Sequence, residues 1–233
     1  MNTTAPVIVA VADHAVLVTF EGDITDTTLA RIQALDAALT AHAPGGMTEI
    51  VPALTNLLVV FDPVVTDHAA ISAAIVDQLA TPTAWSPGAR HHVVEACYDH
   101  EHAPDLSAAA ARAGLDETTV IETHLSGTYR VGMYGFAPGY AYLYGTPAAI
   151  QLPRNPTPGP IVSTGSVIIA GQQCLIIPIA MSTGWFAIGR TAARVLTGDS
   201  ERPFLFDVGD TVTFRRIDAT DLLRQLDRQT AVS

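Results

Sequence analysis

"YRVGMYGFAPGYAYLYGTP", residues 129–147, is the stretch whose reading decides the fold of this chain. Residues 133–147 alone hold three glycines, two prolines, four tyrosines and one phenylalanine, with no charge. Gly and Pro punctuate regular structure, while aromatic residues favour a half-buried pleated surface. Neither a helix nor a regular strand would choose the composition of residues 133–147. The segment can serve as a core crossing, a partner surface or the floor of a ligand site. The same texture runs on through residues 129–217. "YRVGMY", "SVIIAG", "CLIIPIA", "WFAIGR" and "TVTFRRI" alternate with Gly/Pro turns. That pattern predicts a small barrel or sandwich.

Upstream of this region, "HHVVEACYD" is a strand candidate, and "PDLSAAAARAGLDETTVIETHLSG" predicts one or two helices. Asp105 or Ser107 caps the first, Gly114 stops it, and Asp116 caps the second. "TPTAWSPGAR", residues 81–90, carries two prolines and a glycine and reads as a domain boundary. Residues 1–80 have a different character. "VIVAVADHAVLVTF" predicts two strands about an Ala-Asp-His turn. Leu29, Ile32, Leu35, Ala38 and Leu39 then recur at helical spacing, with Thr25 or Asp26 as cap. "MTEIVPAL" and "NLLVVFDP" form a second strand pair, "DHAAISAAIVDQLA" a second helix, and "ATDLLRQLDRQTA" a C-terminal amphipathic helix. The expected fold class is α+β. A ββαββα domain at 1–85, with helices on one face of an antiparallel sheet, precedes a β-rich domain at 86–233.

Composition narrows the chemistry. Of 233 residues, 48% are hydrophobic and 15% charged, so the chain can bury a large core. The formal charge of −11 argues against a nucleic-acid footprint, which needs clustered cations. Lysine is absent, so every fixed side-chain cation is one of 12 arginines, whose planar forks suit carboxylates and phosphates. Cys97 and Cys174 lack metal or redox spacing and read as buried free thiols. The N-terminus lacks the basic region of a signal peptide. The apolar stretch "VIIAGQQCLIIPIAM" falls short of the roughly 20 residues of a membrane helix. A soluble, cytoplasmic protein is expected.

No Walker A loop, dinucleotide fingerprint or nucleophile elbow is present. His100-x-His102 lacks the later glutamate of a cupin-type metal site and reads as a solvated loop, so no metal ligands are expected. What stands out is a scatter of polar residues beside glycines and prolines: His124, Arg154, Gln172, Gln173 and Arg190. Two arginines with amides and free backbone N–H groups can hold phosphate or carboxylate oxygens. The competing reading gives Arg154 and Arg190 to structural salt bridges with the abundant acids. On residue type alone both stand.

The ordered motifs "H-x4-YRVxMYGFAPGYAYLYGTP", "LPR", "GSVIIAG", "TGW" and "IGRT", with "ACYDHEHAPDL" before them, carry a resemblance over nearly the whole chain. They resemble the family of allophanate hydrolase subunit 1, KipI and the B-type subunit of 5-oxoprolinase (PxpB), which also forms half of the urea carboxylase carboxyltransferase domain. The resemblance implies a cyclophilin-like C-terminal barrel. It also implies a second subunit of related fold (allophanate hydrolase subunit 2 or PxpC-like) and ATP-dependent opening of a small amide. ATP, with magnesium allowed, would be bound in the complex, and no biotin is attached to this chain. Matching the motifs residue by residue implies His124, Arg154, Gln172 and Arg190 as catalytic residues, with His124 a proton shuttle or hydrogen-bond donor. Gly135, Phe136, Pro138, Gly139, Tyr140 and Gln173 are implied as substrate- or nucleotide-binding residues. Alternatives are a carboxyltransferase component acting with a biotin carboxylase, and a KipI-like inhibitor of a histidine kinase. The chain departs from the family where Gly159 stands in place of a second arginine and where "STGS", "GQQC" and "DHEHAPDL" replace the commoner forms.

Overall fold

The computed structural model describes residues 5–80 and 90–230. It divides into two compact units, Met1–Pro87 and Gly88–Ser233. The boundary expected within 81–90 falls almost wholly outside the described residues.

The first unit follows the order β1 (Val7–Val11), β2 (Ala15–Thr19), α1 (Asp26–Ala41), β3 (Met47–Pro52), β4 (Asn56–Phe61) and α2 (His68–Ala80). The strands form one antiparallel sheet in the order β1-β2-β4-β3. Alternation sets its inner face: Val16, Val18, Leu57, Val59 and Phe61 are buried with Ile32, Leu35 and Leu39 of α1 and Ile71 and Ile75 of α2. Thr25, not Asp26, caps α1; its hydroxyl accepts the Thr28 N–H at 3.1 Å. The Asp62 carboxylate accepts the Val64 N–H at 2.9 Å, turning the chain at the Asp-Pro pair after β4.

The second unit begins with β5 (His91–Cys97), α3 (Leu106–Ala113) and α4 (Glu117–Ser126). Then come β6 (Tyr129–Tyr134), β7 (Ala141–Tyr144), β8 (Ile161–Val162), β9 (Ser166–Ala170) and β10 (Gln173–Ile176). β11 (Met181–Ser182), β12 (Phe186–Arg190), β13 (Thr211–Ile217) and α5 (Ala219–Thr230) complete it. Seven strands close a barrel in the order β10-β7-β6-β13-β5-β12-β9, while β8 and β11 pair as a separate two-stranded ribbon. The expected β-rich region is thus a barrel, and β5, which precedes both helices, is inserted between β12 and β13. β5 and β13 run parallel; the other barrel pairs are antiparallel.

"SVIIA" lacks polar alternation because both faces of β9 are covered. Val167 and Ile169 join the barrel interior, while Ile168 and Ala170 join a second cluster with Tyr140, Leu175, Ile177, Trp185 and Ala187. Helix α3 packs on β12 and α4 on β13. Gly114 ends α3 in the left-handed conformation, with φ 68°. Asp116 caps α4 through its carboxylate. Both cysteines are free and buried. Among the described residues, no helix is long and apolar enough to cross a membrane.

Candidate functional site

After β5 the chain does not continue as a strand through the histidines. Residues His100–His102 make one turn of 3-10 helix, closed by His102 N–H donating to the Asp99 carbonyl at 2.8 Å. Asp105 stands at the N-cap of α3 but makes no side-chain cap bond. It instead staples the turn to β12: its N–H donates to the Ala187 carbonyl at 3.0 Å, and its carboxylate accepts the Ala187 N–H at 2.9 Å.

β12 then leads to Arg190, which lies opposite Ser166 of β9 and Cys97 of β5. Gly165 makes this close approach sterically workable. Its φ is +83°, its carbonyl accepts the Thr191 N–H at 2.8 Å, and a Cβ there would sit 2.2 Å from the Thr191 oxygen. The β8–β11 ribbon forms a further wall, held by Gly159 N–H donating to the Thr183 carbonyl at 2.8 Å.

These segments enclose a cavity of about 180 Å³, to which Glu101, His102, Asp105, Ser163, Thr183 and Arg190 contribute. Arg190 Nε donates to the Thr164 carbonyl at 3.4 Å. Among the described residues, no ion pair involves its guanidinium, although Glu101 and Asp105 line the same cavity. His102 Nε2 is buried and has no hydrogen-bond partner among the described residues. The cavity therefore offers a cation with unused donors, serine and threonine hydroxyls, and an acidic rim. Groups of these types can pair with a small polar molecule that carries an anionic group. No group of three or more His, Cys, Asp or Glu able to hold a metal occurs among the described residues.

Residues 6–206 match the family described as carboxyltransferase domain, subdomain C and D. The chain belongs to this family. It is 31% identical to the B-type subunit of 5-oxoprolinase from Bacillus subtilis (strain 168) over 221 residues, covering 90% of this chain and 92% of the relative. The crystal structure of TTHA0988 is 30% identical with a TM-score of 0.74; the match covers 88% of this chain but only 40% of that one. The urea carboxylase of Kluyveromyces lactis shares the fold at 15% identity and a TM-score of 0.79, over 95% of this chain and 22% of that longer chain.

In this carboxyltransferase-domain chain the residues implied by the family motifs do not form one site. Only Arg190 lines the cavity. His124 is fully buried in the barrel core: Nδ1 meets the Tyr98 hydroxyl at 2.9 Å, Nε2 meets Cys174 Sγ at 3.6 Å, and the Tyr129 and Phe214 rings flank it. Burial lowers its pKa from 6.5 to about 3 and pushes the Cys174 thiol up. A neutral imidazole sealed from solvent and absent from the cavity lining braces the barrel core through these contacts; of the two roles the family motifs imply for it, proton shuttle or hydrogen-bond donor, the geometry offers no support for the first. Its helical position was the available signal, because Val120 and Ile121 share its buried face.

Gln172 and Gln173 sit at the β9–β10 turn, the end of β9 away from Ser166, roughly 13 Å along the strand at 3.3 Å per residue. The Gln172 carbonyl accepts the Gly145 and Thr146 N–H groups, and Gln173 pairs with Tyr144 and Ala170. Gly135, Phe136, Pro138 and Gly139 line a different, open depression with Tyr134 and Phe204. Phe136 is 81% exposed and holds φ +70°, an uncommon conformation for a bulky residue. An aromatic row runs from it through Tyr140 at 5.1 Å and Tyr142 at a further 5.2 Å to Trp185 at 6.1 Å. Burial pushes Tyr140 up to about 12 and raises Tyr142, while the positive charge of Arg154 opposes both shifts. Like Arg190, Arg154 is in no ion pair among the described residues. The salt-bridge reading of the two arginines is not what the fold adopts.

The polar cavity residues that the sequence reading assigns to no site are Glu101, His102, Asp105, Ser163, Ser166 and Thr183. The sequence reading takes His102 as part of a rejected metal pair, Asp105 as a helix cap and "STGS" as a departure from the commoner motif form, none of them as a cavity residue.

Proposed function

We propose that this chain is the B-type component of a cytoplasmic, 5-oxoprolinase-like ATP-dependent amidohydrolase, working with a second subunit of related fold. The observation that carries this reading is Arg190: a guanidinium without an acidic partner among the described residues, at a small polar cavity, in an acidic protein. The naming of its relatives as B-type subunits of 5-oxoprolinase supports the assignment. The occurrence of the fold as a fraction of longer chains supports a neighbouring polypeptide that completes the catalytic unit.

Within this reading the cavity takes the amide substrate. Its volume of about 180 Å³ lies below the roughly 300–1,000 Å³ of pockets that hold drug-sized molecules, and a nucleoside triphosphate does not fit. The cavity also lacks lysine and a phosphate loop, so the nucleotide is assigned to surfaces that the partner completes. An unactivated amide is a poor electrophile, and phosphorylation of its oxygen supplies the missing leaving group. This chain's part is to hold the substrate: Arg190 forks onto its carboxylate, and the stapled His100–Asp105 turn fixes the opposite wall.

The test is co-production with the partner subunit, followed by ATP hydrolysis measured with 5-oxoproline, other lactams, urea and allophanate. Lactam-stimulated ATP hydrolysis with release of glutamate from 5-oxoproline, lost in Arg190→Gln, is expected. A biotin-dependent carboxyl transfer, or tight inhibition of a histidine kinase without lactam-stimulated hydrolysis, would overturn the assignment.

A further inference from the structure

We infer that β1 is an association edge at which two copies of this chain pair antiparallel, joining their four-stranded sheets into one of eight strands. The inference concerns the first unit and does not rest on the function proposed for the Arg190 cavity.

The two edges of that sheet are built differently. β3 has an irregular register between Met47 and Glu49, carries the exposed carboxylate of Glu49 and ends on Pro52. A bulge, a charge and a proline are devices that stop an edge from pairing with another chain. β1 has none of them. "VIVAV" is free of charge and proline, and its five residues pair with β2 in unbroken register. Among the described residues, no backbone–backbone hydrogen bond of Val7–Val11 runs to anything but β2. The outward row of Val7, Val9 and Val11 is 45%, 44% and 38% exposed. Along the same edge a groove of about 680 Å³ opens between Pro6 and Ile8, Leu35 of α1, and Val76 and Leu79 of α2. An added strand meets unpaired N–H and C=O groups, an apolar groove for one set of its alternate side chains and a valine row for the other.

The sequence of β1 fits a second copy of itself. Antiparallel pairing about Val9 sets Val7 against Val11 of the second copy, and Val9 against Val9, all on the outer face. On the groove side Ile8 meets Ala10, a large residue against a small one. The contact is isologous and closes after two copies. Charge selects the same place. Each copy carries a formal −11, so two copies repel unless they meet on an uncharged surface, and β1 sets no carboxylate against another. A single strand pair is smaller than the roughly 1,200–2,000 Å² of a tight interface, so a dissociation constant of about 1–100 μM is expected.

The experiment is sedimentation equilibrium of the full chain from about 1 to 500 μM. A reversible monomer–dimer equilibrium is expected. Val9→Lys opposes two ammonium groups at the two-fold axis and should weaken the dimer roughly tenfold or more, while Val51→Lys on β3 should leave it unchanged. Folding of each variant is verified by its thermal transition. Directly opposed Cβ atoms lie about 4.5–5.5 Å apart, so a short bis-maleimide should join Val9→Cys to its own copy and fail to join Val51→Cys. The native Cys97 and Cys174 are buried and do not compete. A chain that stays monomeric throughout this range overturns the inference. So does a dimer that Val9→Lys leaves intact, or one that cross-links equally through Val51→Cys. A monomer whose Val9→Cys thiol is shielded from alkylation only by a co-produced second subunit assigns the edge to that subunit and overturns self-pairing.

Discussion

Acidification should load the barrel through His124. Its folded pKa, held at about 3 by complete burial, lies well below the ordinary 6.5. Between those values the unfolded chain binds a proton that the folded chain refuses, so stability falls as pH falls through this window. At about 1.36 kcal/mol per pH unit, the loss from pH 6.5 to pH 5.0 is about 2 kcal/mol, with a ceiling of about 5 kcal/mol near pH 3. The hydrogen bond between Nδ1 and the Tyr98 hydroxyl and the contact of Nε2 with the Cys174 thiol occupy both ring nitrogens, inside a fully buried site.

The assay is urea unfolding of the chain and of His124→Phe at pH 7.0 and pH 5.0. The variant orphans the Tyr98 hydroxyl and should be about 1–3 kcal/mol less stable at pH 7.0. Its further loss on going to pH 5.0 should be about 2 kcal/mol smaller than that of the unmodified chain. In parallel, the His124 ring resonance should stay at its neutral position down to pH 5.0. Titration of that resonance near pH 6.5 in the folded protein, or identical pH slopes for the two chains, would refute the reasoning.

Gly165→Ala places a methyl group 2.2 Å from the Thr191 oxygen in a left-handed backbone, and also threatens the Thr191 N–H bond to its carbonyl. Destabilisation of about 2–4 kcal/mol is expected, with loss of ligand binding at Arg190, readable as a lowered thermal midpoint and absent 5-oxoproline binding. Asp210 is buried, which works to raise its pKa, but N–H groups of Asp207, His92 and Arg90 prevail and hold it below the ordinary carboxylate value. The stability it contributes is present above the ordinary carboxylate range and lost as pH falls through its folded value. Asp210→Asn should cost about 2–4 kcal/mol at neutral pH and flatten the acid limb of the stability curve. Thr25→Ala removes the cap of α1 and should cost about 0.5–2 kcal/mol, seen as earlier loss of helical circular dichroism on heating.

The sequence made the local half of this structure legible. Thr25, Gly114 and Asp116 mark helix ends because capping is decided within a few residues. The alternation in "AVLVT" and "NLLVVF" names an inner face because one side of that sheet is covered by helices. The cavity was legible only at Arg190. Its walls come from segments 101–105, 159–166 and 183–190, and no short-range pattern announces that strand pairing will bring them together. His124 reads two ways for a related reason: a polar residue beside family motifs invites a catalytic reading, its spacing from Val120 and Ile121 points to a buried helix face, and the packing of α4 against β13 sets it in the interior.

The parallel pairing of β5 with β13 also governs how the chain reaches its native state. Seven residue pairs, from Thr211 opposite His91 to Ile217 opposite Cys97, join segments about 120 positions apart. Contacts so distant in sequence make closure slow relative to local helix and hairpin formation. During synthesis at about 5–20 residues per second, β5 waits on the order of ten seconds for its neighbour to emerge. Through that interval β5 and β6 each expose an edge that only the incoming strand will occupy. β13 is thus the closing stave of the barrel, and the nascent chain is most open to mispairing just before it arrives.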